Sequence, residues 1–260
     1  MSQYSDLVVK TYGNGISRVI INNPSTYNSL SMNVLKSLLK CFKKFKNDKK
    51  TKVIILEGAG KGFSAGHNLK EVKFLKGKPE YKQLFKLCSD LMITIIKNKP
   101  VIAKVHGAAF AAGCQLVASC DLAISSNDSI FATPGINIGL FCSTPMVALS
   151  RNVVRKKAMQ MLLTGDHITA SYAKEIGLIN NHFDKSKLEN EVLKLAKKIS
   201  SKSTKVIKIG KEAFYKQLEM PIGKAYKYTA EVMSKNMMAY DAKEGISAFL
   251  EKRSAHWKNK

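Results

Sequence analysis

Apolar and polar residues alternate at the start of the chain and then change to a helical spacing. The stretch LVVKTYGNGISRVIINNP, residues 7–24, alternates around a Gly-Asn-Gly turn, which predicts a β-hairpin. The segment SMNVLKSLLKCFKKFKND then places apolar residues on one helical face, behind Ser31 as the N-terminal cap. The residues of this predicted face are Val34, Leu35, Leu38, Leu39 and Phe42.

Two buried strands with a helix between them indicate a parallel sheet. The runs KVIILEGAG, residues 52–60, and KPVIAKVHGAA, residues 99–109, each predict one strand, and a lysine-rich amphipathic helix from about Pro79 to Lys97 separates them. This order favours right-handed crossovers and a largely parallel sheet covered by helices. The segments DLAISS and SIFATP predict two further strands around an Asn127-Asp128 turn.

The pattern becomes helical from Ser143 onward. The segment TASYAKEIG predicts a helix that is capped by Thr169 and ended by Gly177, and further helices follow to the end of the chain. We therefore expect an α/β body, residues 1–202, and a helical tail, residues 203–260. No repeat or low-complexity linker separates them, so the tail is predicted to pack on its own body or on a neighbouring subunit.

The length and composition of the chain limit the classes of protein to which it can belong. The 260 residues, of which 45% are hydrophobic and 24% charged, suit one large domain or one domain with an appendage. No segment approaches the roughly 20 apolar residues of a membrane-spanning helix, and the start lacks the apolar core of a signal peptide. Five cysteines without a CxxC pair predict free thiols and no metal site. We expect a cytoplasmic bacterial protein, or an organellar one whose presequence was removed.

The net charge of +24 raises the question of a polyanionic partner. Lysine supplies nearly all of the excess, since arginine occurs only at positions 18, 151, 155 and 253. Arginine is the residue that bidentate contacts to phosphate or guanine favour. A bias in genome composition explains the lysines without a partner, so nucleic-acid binding is the less favoured hypothesis.

Two glycine-rich segments lie between a strand and a helix. The first elbow, residues 58–71, reads GAGKGFSAGHNLKE, and the second elbow, residues 106–116, reads HGAAFAAGCQL. Small residues let backbone N–H groups face a ligand, and two such groups can hold one oxygen as an oxyanion hole. Either elbow could instead be only a tight turn. No Walker A or GxGxxG motif is present, which argues against nucleotide hydrolysis and hydride transfer.

Six blocks of the chain, in order, resemble the enoyl-CoA hydratase/isomerase (crotonase) superfamily. They are NNPSTYNSLSMNVL, GKGFSAGHNLKE, KPVIAKVHGAAFAAGCQLVASCDLAISS, FATPGINIGL, LLTGDHITASYAKEIGLIN and EGISAFLEKRSAHW. Three of the blocks look most like the domain-containing protein 3 group of enoyl-CoA hydratase homologues. The resemblance implies a spiral of β-β-α units, a C-terminal helical trimerisation region, and assembly as a trimer or a dimer of trimers.

The resemblance also implies the ligand and the residues that hold it. The ligand is an acyl-CoA thioester, and no cofactor is implied apart from coenzyme A within the substrate. The oxyanion-hole donors fall on the backbone N–H of His67 and of Ala112, with Gly113 possible within one residue. Residues aligned with acyl or CoA contacts are Ala65, Asn68, Leu69, Phe141, Phe249 and Lys252.

The two catalytic glutamates of the family's hydratases are absent. The first position aligns with Gln115 and the second with Gly135 in FATPGINIG. An amide orients water but does not take its proton, and glycine does neither. Standard hydration should therefore be severely impaired. Three hypotheses stay open: an enzyme with another acid or base, an acyl-CoA-binding protein without catalysis, and a basic nucleic-acid-binding protein.

His67 and Glu71 are the possible side-chain catalysts. Each has a structural alternative. His67 could serve only through its backbone N–H, and Glu71 could complement a helix dipole in the first turn. Cys142 is a weaker candidate, since a lone cysteine in an apolar stretch is usually a small buried hydrophobe.

Overall fold

The computed structural model describes residues 4–260 and shows an α/β body followed by helices. The strands are β1 Leu7–Thr11, β2 Ile16–Ile21, β3 Val53–Gly58, β4 Val101–Val105, β5 Ala108–Phe110, β6 Leu122–Ser126, β7 Ile130–Ala132, β8 Ile168–Thr169 and β9 Asn181–Phe183. The α-helices are α1 Met32–Asn47, α2 Leu69–Lys73, α3 Lys78–Ile96, α4 Ala112–Ser119, α5 Pro145–Asn152, α6 Arg155–Thr164, α7 Ala170–Glu175, α8 Lys185–Ser200, α9 Thr204–Gln217, α10 Ile222–Met237 and α11 Tyr240–Leu250. Two short 3₁₀ helices lie at Pro24–Thr26 and Pro134–Ile138.

Six strands form the central sheet in the order β1-β2-β3-β4-β6-β9. Strands β1 and β2 pair antiparallel, which confirms the predicted hairpin, and the later pairs of this sheet are parallel. Every residue of β3 is buried, as expected for a parallel strand whose two faces are covered. The sequence pattern did not predict the last strand, β9, which is only three residues long.

The run KPVIAKVHGAA does not form one strand, so that prediction was wrong. Strand β4 ends at Val105, and the chain turns at Gly107, whose φ is +58°. Strand β5 then joins a second sheet with β7 and β8. The apolar run continues across the turn, so it carries no signal for a change of sheet. This break brings the second elbow out of the central sheet.

The helix caps agree with the sequence prediction. The Ser31 hydroxyl accepts from the Val34 N–H at 3.2 Å at the start of α1, and the Thr169 hydroxyl accepts from the Tyr172 N–H at 3.3 Å in α7. Such caps satisfy N–H groups that have no partner within the helix. Helix α1 packs against α3, and α3 lies within one residue of its predicted ends.

An ionic cluster ties helix α8 to the central sheet. The Glu57 carboxylate on β3 lies 3.3 Å from Arg18 on β2 and 2.7 Å from Lys104 on β4. Both cations also pair with Glu189 on α8. The Glu57 side chain is 7% exposed, and the two cationic side chains are 13% and 16% exposed. Charges this enclosed are stable in the fold only because each has a partner.

The chain forms two compact units, one ending at Ala196 and one beginning at Lys197. The boundary predicted from the sequence lies a little later, between residues 202 and 203. In the second unit, the buried Asp241 carboxylate accepts from the Ser203 hydroxyl and from the Lys258 N–H at 2.8 Å. Its helices form an open apolar groove of about 560 Å³, lined in part by Phe249, Leu250 and Trp257. No helix in the described part of the chain is long and apolar enough to cross a membrane.

Candidate functional site

The two elbows lie side by side and are joined by backbone hydrogen bonds. The N–H groups of Phe63 and Ser64 both donate to the Ala108 carbonyl, at 3.0 and 3.1 Å, and the Phe110 N–H donates back to the Ser64 carbonyl at 2.9 Å. The resulting contact is a parallel bridge between Ser64 and Ala109. The predicted convergence of the two elbows is therefore present in the fold.

Glycine is required where the elbows touch. A Cβ on Gly113 would lie 2.3 Å from the Ser64 carbonyl oxygen. A Cβ on Gly66 would lie 2.8 Å from the Phe110 carbonyl oxygen and 3.1 Å from the Ala112 nitrogen, and Gly66 has a φ of +86°. Side chains at these positions would push the two backbones apart. The glycines therefore set the spacing of the site.

Asn28 braces the first elbow, and the sequence analysis missed this role. Its buried side-chain nitrogen donates to the carbonyls of Ala59 and Gly62, at 2.7 and 2.8 Å. Its backbone carbonyl accepts from the Ser64 hydroxyl at 2.8 Å. Asn28 has a φ of +54°, a conformation that asparagine tolerates better than most residues. The only sequence signal for it is an asparagine beside a proline-containing turn.

Two of the elbow N–H groups that make no hydrogen bond come close to each other. Neither the His67 N–H nor the Ala112 N–H makes a hydrogen bond to any described residue. They lie near each other because Gly66, which precedes His67, packs against the Ala112 nitrogen. Ala112 is the first residue of α4, so the helix dipole adds partial positive charge there. The pair can hold one partly negative oxygen. The Gly113 N–H is also free, and so it stays an alternative donor.

Gln115, which the family resemblance aligns with the first glutamate, forms a hydrogen bond through only one end of its amide. The residue is 4% exposed. Its Oε1 accepts weakly from the Cys88 thiol on α3, with an Sγ to Oε1 distance of 3.9 Å. Its Nε2 makes no hydrogen bond within the described residues, and it is not among the fully enclosed unpaired atoms. The site therefore presents a neutral hydrogen-bond donor where hydratases of the family carry a carboxylate.

Gly135, which the family resemblance aligns with the second glutamate, has no room for a side chain. A Cβ there would lie 2.7 Å from the Leu140 carbonyl oxygen and 2.8 Å from the Cys142 sulfur. Gly135 is buried in the 3₁₀ helix at Pro134–Ile138. Cys142 itself is a buried free thiol whose pKa is raised by burial. This position has therefore lost the carboxylate and also the space for one.

The His67 ring is enclosed without a hydrogen-bond partner. Neither ring nitrogen meets a partner at hydrogen-bonding geometry, and the ring packs edge-on against Phe85 at 5.6 Å between centroids. Burial lowers the pKa of His67, against the opposing effects of the Leu30 backbone and the Glu71 carboxylate. The ring would have to turn out of this enclosure to reach a substrate. Its role as a side-chain catalyst stays a prediction.

Glu71 and Asn68 have local structural partners. The Glu71 carboxylate accepts from the Met32 N–H at 3.0 Å, at the start of α1. The Asn68 side chain caps α2 by accepting from the N–H groups of Lys70 and Glu71, at 3.1 and 3.4 Å. These contacts give both residues a role in positioning the first elbow. Catalysis by Glu71 and ligand contact by Asn68 stay predictions.

The remaining predicted ligand contacts are solvent-exposed in the two units. In the first unit, Ala65 and Leu69 are exposed on the first elbow and Phe141 is 39% exposed. In the second unit, Phe249 is 82% exposed at the end of α11, and Lys252 follows it with a φ of +55°. Exposure leaves these side chains available to a ligand, and their contact with one stays a prediction.

Replacing His67 with leucine is expected to reduce the acid sensitivity of the fold. The folded-state pKa of His67 lies below the ordinary 6.5, so the unfolded chain binds a proton at a higher pH than the folded protein does. The free energy of unfolding therefore falls as the pH drops below about 6.5, and this loss is absent above that pH. Chemical denaturation at about pH 7.5 and about pH 5.5 should show a smaller difference for His67→Leu than for the natural protein.

The matched control for this experiment is His256→Leu, since His256 is exposed in the second unit. It is expected to keep the acid sensitivity of the natural protein. An equal loss of stability in His67→Leu and in the natural protein would contradict the expectation.

Comparison with known proteins places this chain in one family. The model of the enoyl-CoA hydratase/isomerase family matches residues 11–260. The chain therefore belongs to the enoyl-CoA hydratase/isomerase family. Within that family it is 46% identical over 244 residues to a human protein, enoyl-CoA hydratase domain-containing protein 3, mitochondrial, and the match covers 94% of this chain and 80% of that protein.

Solved structures agree with this assignment. The crystal structure of an enoyl-CoA hydratase from Mycobacterium smegmatis matches with a TM-score of 0.95 at 43% identity, covering 97% of this chain and 98% of that one. The crystal structure of human enoyl-CoA hydratase domain-containing protein 3 matches with a TM-score of 0.94 at 44% identity, covering 97% and 100%. The predicted crotonase α/β fold and the predicted group within the family are both confirmed.

Proposed function

We propose that this protein binds an acyl-CoA thioester, whose carbonyl oxygen accepts from the His67 and Ala112 N–H groups. The observation that carries the proposal is the pair of free N–H groups held side by side by the interlocked elbows. Donors fixed in advance stabilise negative charge on an oxygen without a cost of reorganisation. An enolate formed from the thioester would gain most from this arrangement.

The same site is poorly suited to add water across a double bond. Gln115 offers a donor in place of a base, and Gly135 has no side chain. General acid–base catalysis contributes about 10²- to 10⁴-fold, so hydration should be slow. The functions that remain are binding of acyl-CoA without turnover and proton chemistry at an unidentified group. The comparisons support the family, and the two substitutions favour binding with weakened or altered chemistry.

Assembly through the second unit is part of this proposal. The family resemblance implies a trimer or a dimer of trimers, in which the region around Phe249 and Lys252 reaches the CoA of an adjacent subunit. The second unit supports this with apolar side chains that are each more than half exposed; patches of this kind mark interaction surfaces. These side chains are Phe214, Leu218, Ile222, Tyr226, Met233, Met238, Phe249 and Leu250.

The relatives support two alternative cellular locations. The human relative is named as a mitochondrial protein, which supports the organellar alternative. The solved enoyl-CoA hydratase from Mycobacterium smegmatis supports the bacterial one. A role in fatty-acid metabolism is consistent with either location, and both the role and the location stay predictions.

The proposal is tested by calorimetric binding of butyryl-CoA and of free coenzyme A, together with an assay for crotonyl-CoA hydration. We expect micromolar binding of butyryl-CoA, weaker binding of coenzyme A, and turnover more than about 10²-fold below the median enzyme rate of about 10 s⁻¹. The variant Ala112→Pro removes one donor at the first residue of α4, a position where helices tolerate proline. Because Gly66 packs against this nitrogen, the free energy of unfolding of the variant is measured alongside binding. The variant should weaken butyryl-CoA binding by about tenfold or more.

The matched control is Arg155→Pro, which makes the same change at the first residue of α6, outside the elbows. It should leave butyryl-CoA binding unchanged. Equal effects of the two prolines, or no binding of any CoA ligand by the natural protein, would overturn the proposal. Salt-dependent binding to RNA in place of CoA ligands would point to the nucleic-acid hypothesis.

A further inference from the structure

The amide of Gln115 has a weak hydrogen-bonding neighbour on helix α3. Cys88 is fully buried, and its thiol donates to Gln115 Oε1. Burial raises the pKa of the Cys88 thiol to about 12, so the sulfur keeps its proton at neutral pH. A protonated thiol donates, and an amide oxygen accepts. Cys88 therefore favours the orientation in which Oε1 accepts from its thiol and the Nε2 donor is unpaired.

The unpaired donor lies on the helix that carries the second free N–H of the site. Gln115 follows Ala112 by three residues in α4, which is about 4.5 Å along the helix axis. Residues three apart share a helix face, and helical side chains lean toward the N-terminus. The side chain of Gln115 therefore extends from this face toward the end of α4 where the Ala112 N–H is free.

We propose that Gln115 is a specificity-determining residue whose Nε2 donates to a second carbonyl oxygen on the acyl chain, within a few bonds of the thioester. This inference rests on the function proposed above and names its substrate class as 3-oxoacyl thioesters. A plain alkyl chain would cover this nearly buried donor without giving it a partner. Sites built to hydrogen-bond a substrate group reject analogues that lack that group.

A glutamate at this position would offer no such donor. A carboxylate only accepts hydrogen bonds, so it suits a water molecule or a hydroxyl and cannot donate to a carbonyl oxygen. The change from glutamate to glutamine therefore replaces an acceptor by a donor. Cys88 acts through Gln115 and is a positioning residue.

The test compares acetoacetyl-CoA with butyryl-CoA by calorimetry on the full chain. These ligands have acyl chains of the same length and differ in the carbonyl at C3. The natural protein should bind acetoacetyl-CoA about tenfold more tightly. Gln115→Leu, which replaces the donor by an apolar side chain, should reduce this ratio to below about threefold.

Two variants of Cys88 separate positioning from packing. Cys88→Ser keeps a donor beside Oε1 and should keep the ratio, whereas Cys88→Val keeps the approximate volume without a donor and should lower it. A purely structural role for Cys88 would change both affinities together and leave their ratio unaltered. The comparison therefore remains informative even if a variant is less stable.

The outcomes distinguish this inference from the proposed function. Equal binding of the two thioesters by the natural protein would overturn the inference and leave acyl-CoA binding intact. The same holds if Gln115→Leu keeps the tenfold ratio. Failure of both thioesters to bind would overturn the proposed function, and the inference with it.

Discussion

Replacing Gly135 with glutamate is expected to lower the free energy of unfolding by about 3 kcal/mol, without restoring hydration. The new Cβ would lie 2.7 Å from the Leu140 carbonyl oxygen and 2.8 Å from the Cys142 sulfur. Either the 3₁₀ helix or the segment that follows it would have to move. Combining this change with Gln115→Glu should therefore give an unstable protein with little activity. Chemical denaturation and the crotonyl-CoA assay measure the two effects.

The control is Gly13→Glu, which adds the same side chain in open space in the hairpin turn. It should change the free energy of unfolding by less than about 0.5 kcal/mol. A stable Gly135→Glu protein that hydrates crotonyl-CoA once Gln115 is also glutamate would show that the segment adapts. In that case the loss of space at Gly135 would not be what limits the chemistry.

Replacing Glu57 with alanine is expected to lower the free energy of unfolding by about 3 kcal/mol. The change removes a carboxylate that lies 2.7 Å from Lys104 and 3.3 Å from Arg18. Glu189 is then the one carboxylate of the cluster that remains beside these two enclosed cations. A buried charge that loses its partner keeps its desolvation cost. Denaturation in urea measures the loss.

The exposed pair Lys86–Asp90 provides the comparison for this prediction. Its ions lie 2.6 Å apart on the surface of α3, with side chains 70% and 42% exposed. The variant Asp90→Ala should cost no more than about 0.5 kcal/mol, because water screens such pairs. Similar losses for Glu57→Ala and Asp90→Ala would show that enclosure of the cluster adds nothing to its contribution.

The order of strands and helices could be predicted from local patterns. The hairpin, helix α1 with its Ser31 cap, and the crossover through α3 each carry a period or a capping residue that belongs to one segment alone. The turn at Gly107 and strand β9 could not be predicted in this way. Both depend on which strand lies beside them, and the sequence within each segment does not record that.

The site was predictable only in part for the same reason. The two elbows show in the sequence as small residues, and the family resemblance indicates which N–H groups face a ligand. The contact between Gly113 and Ser64, the bracing by Asn28, and the thiol of Cys88 beside Gln115 are tertiary contacts between distant segments. The lack of room at Gly135 likewise becomes visible only when the folded segment around Cys142 is known.

Helix α8 supplies the last charge of the ionic cluster to be synthesised, because Glu189 follows the other three residues in the chain. Arg18, Glu57 and Lys104 have all emerged from the ribosome long before Glu189 is made. Until then the emerged strands carry two of the cluster's cations and one of its carboxylates. Domains generally fold as units, so the charges of this sheet are balanced only once residue 189 is available. A ribosome that stalls before α8 would therefore present a sheet with an unbalanced charge at its centre.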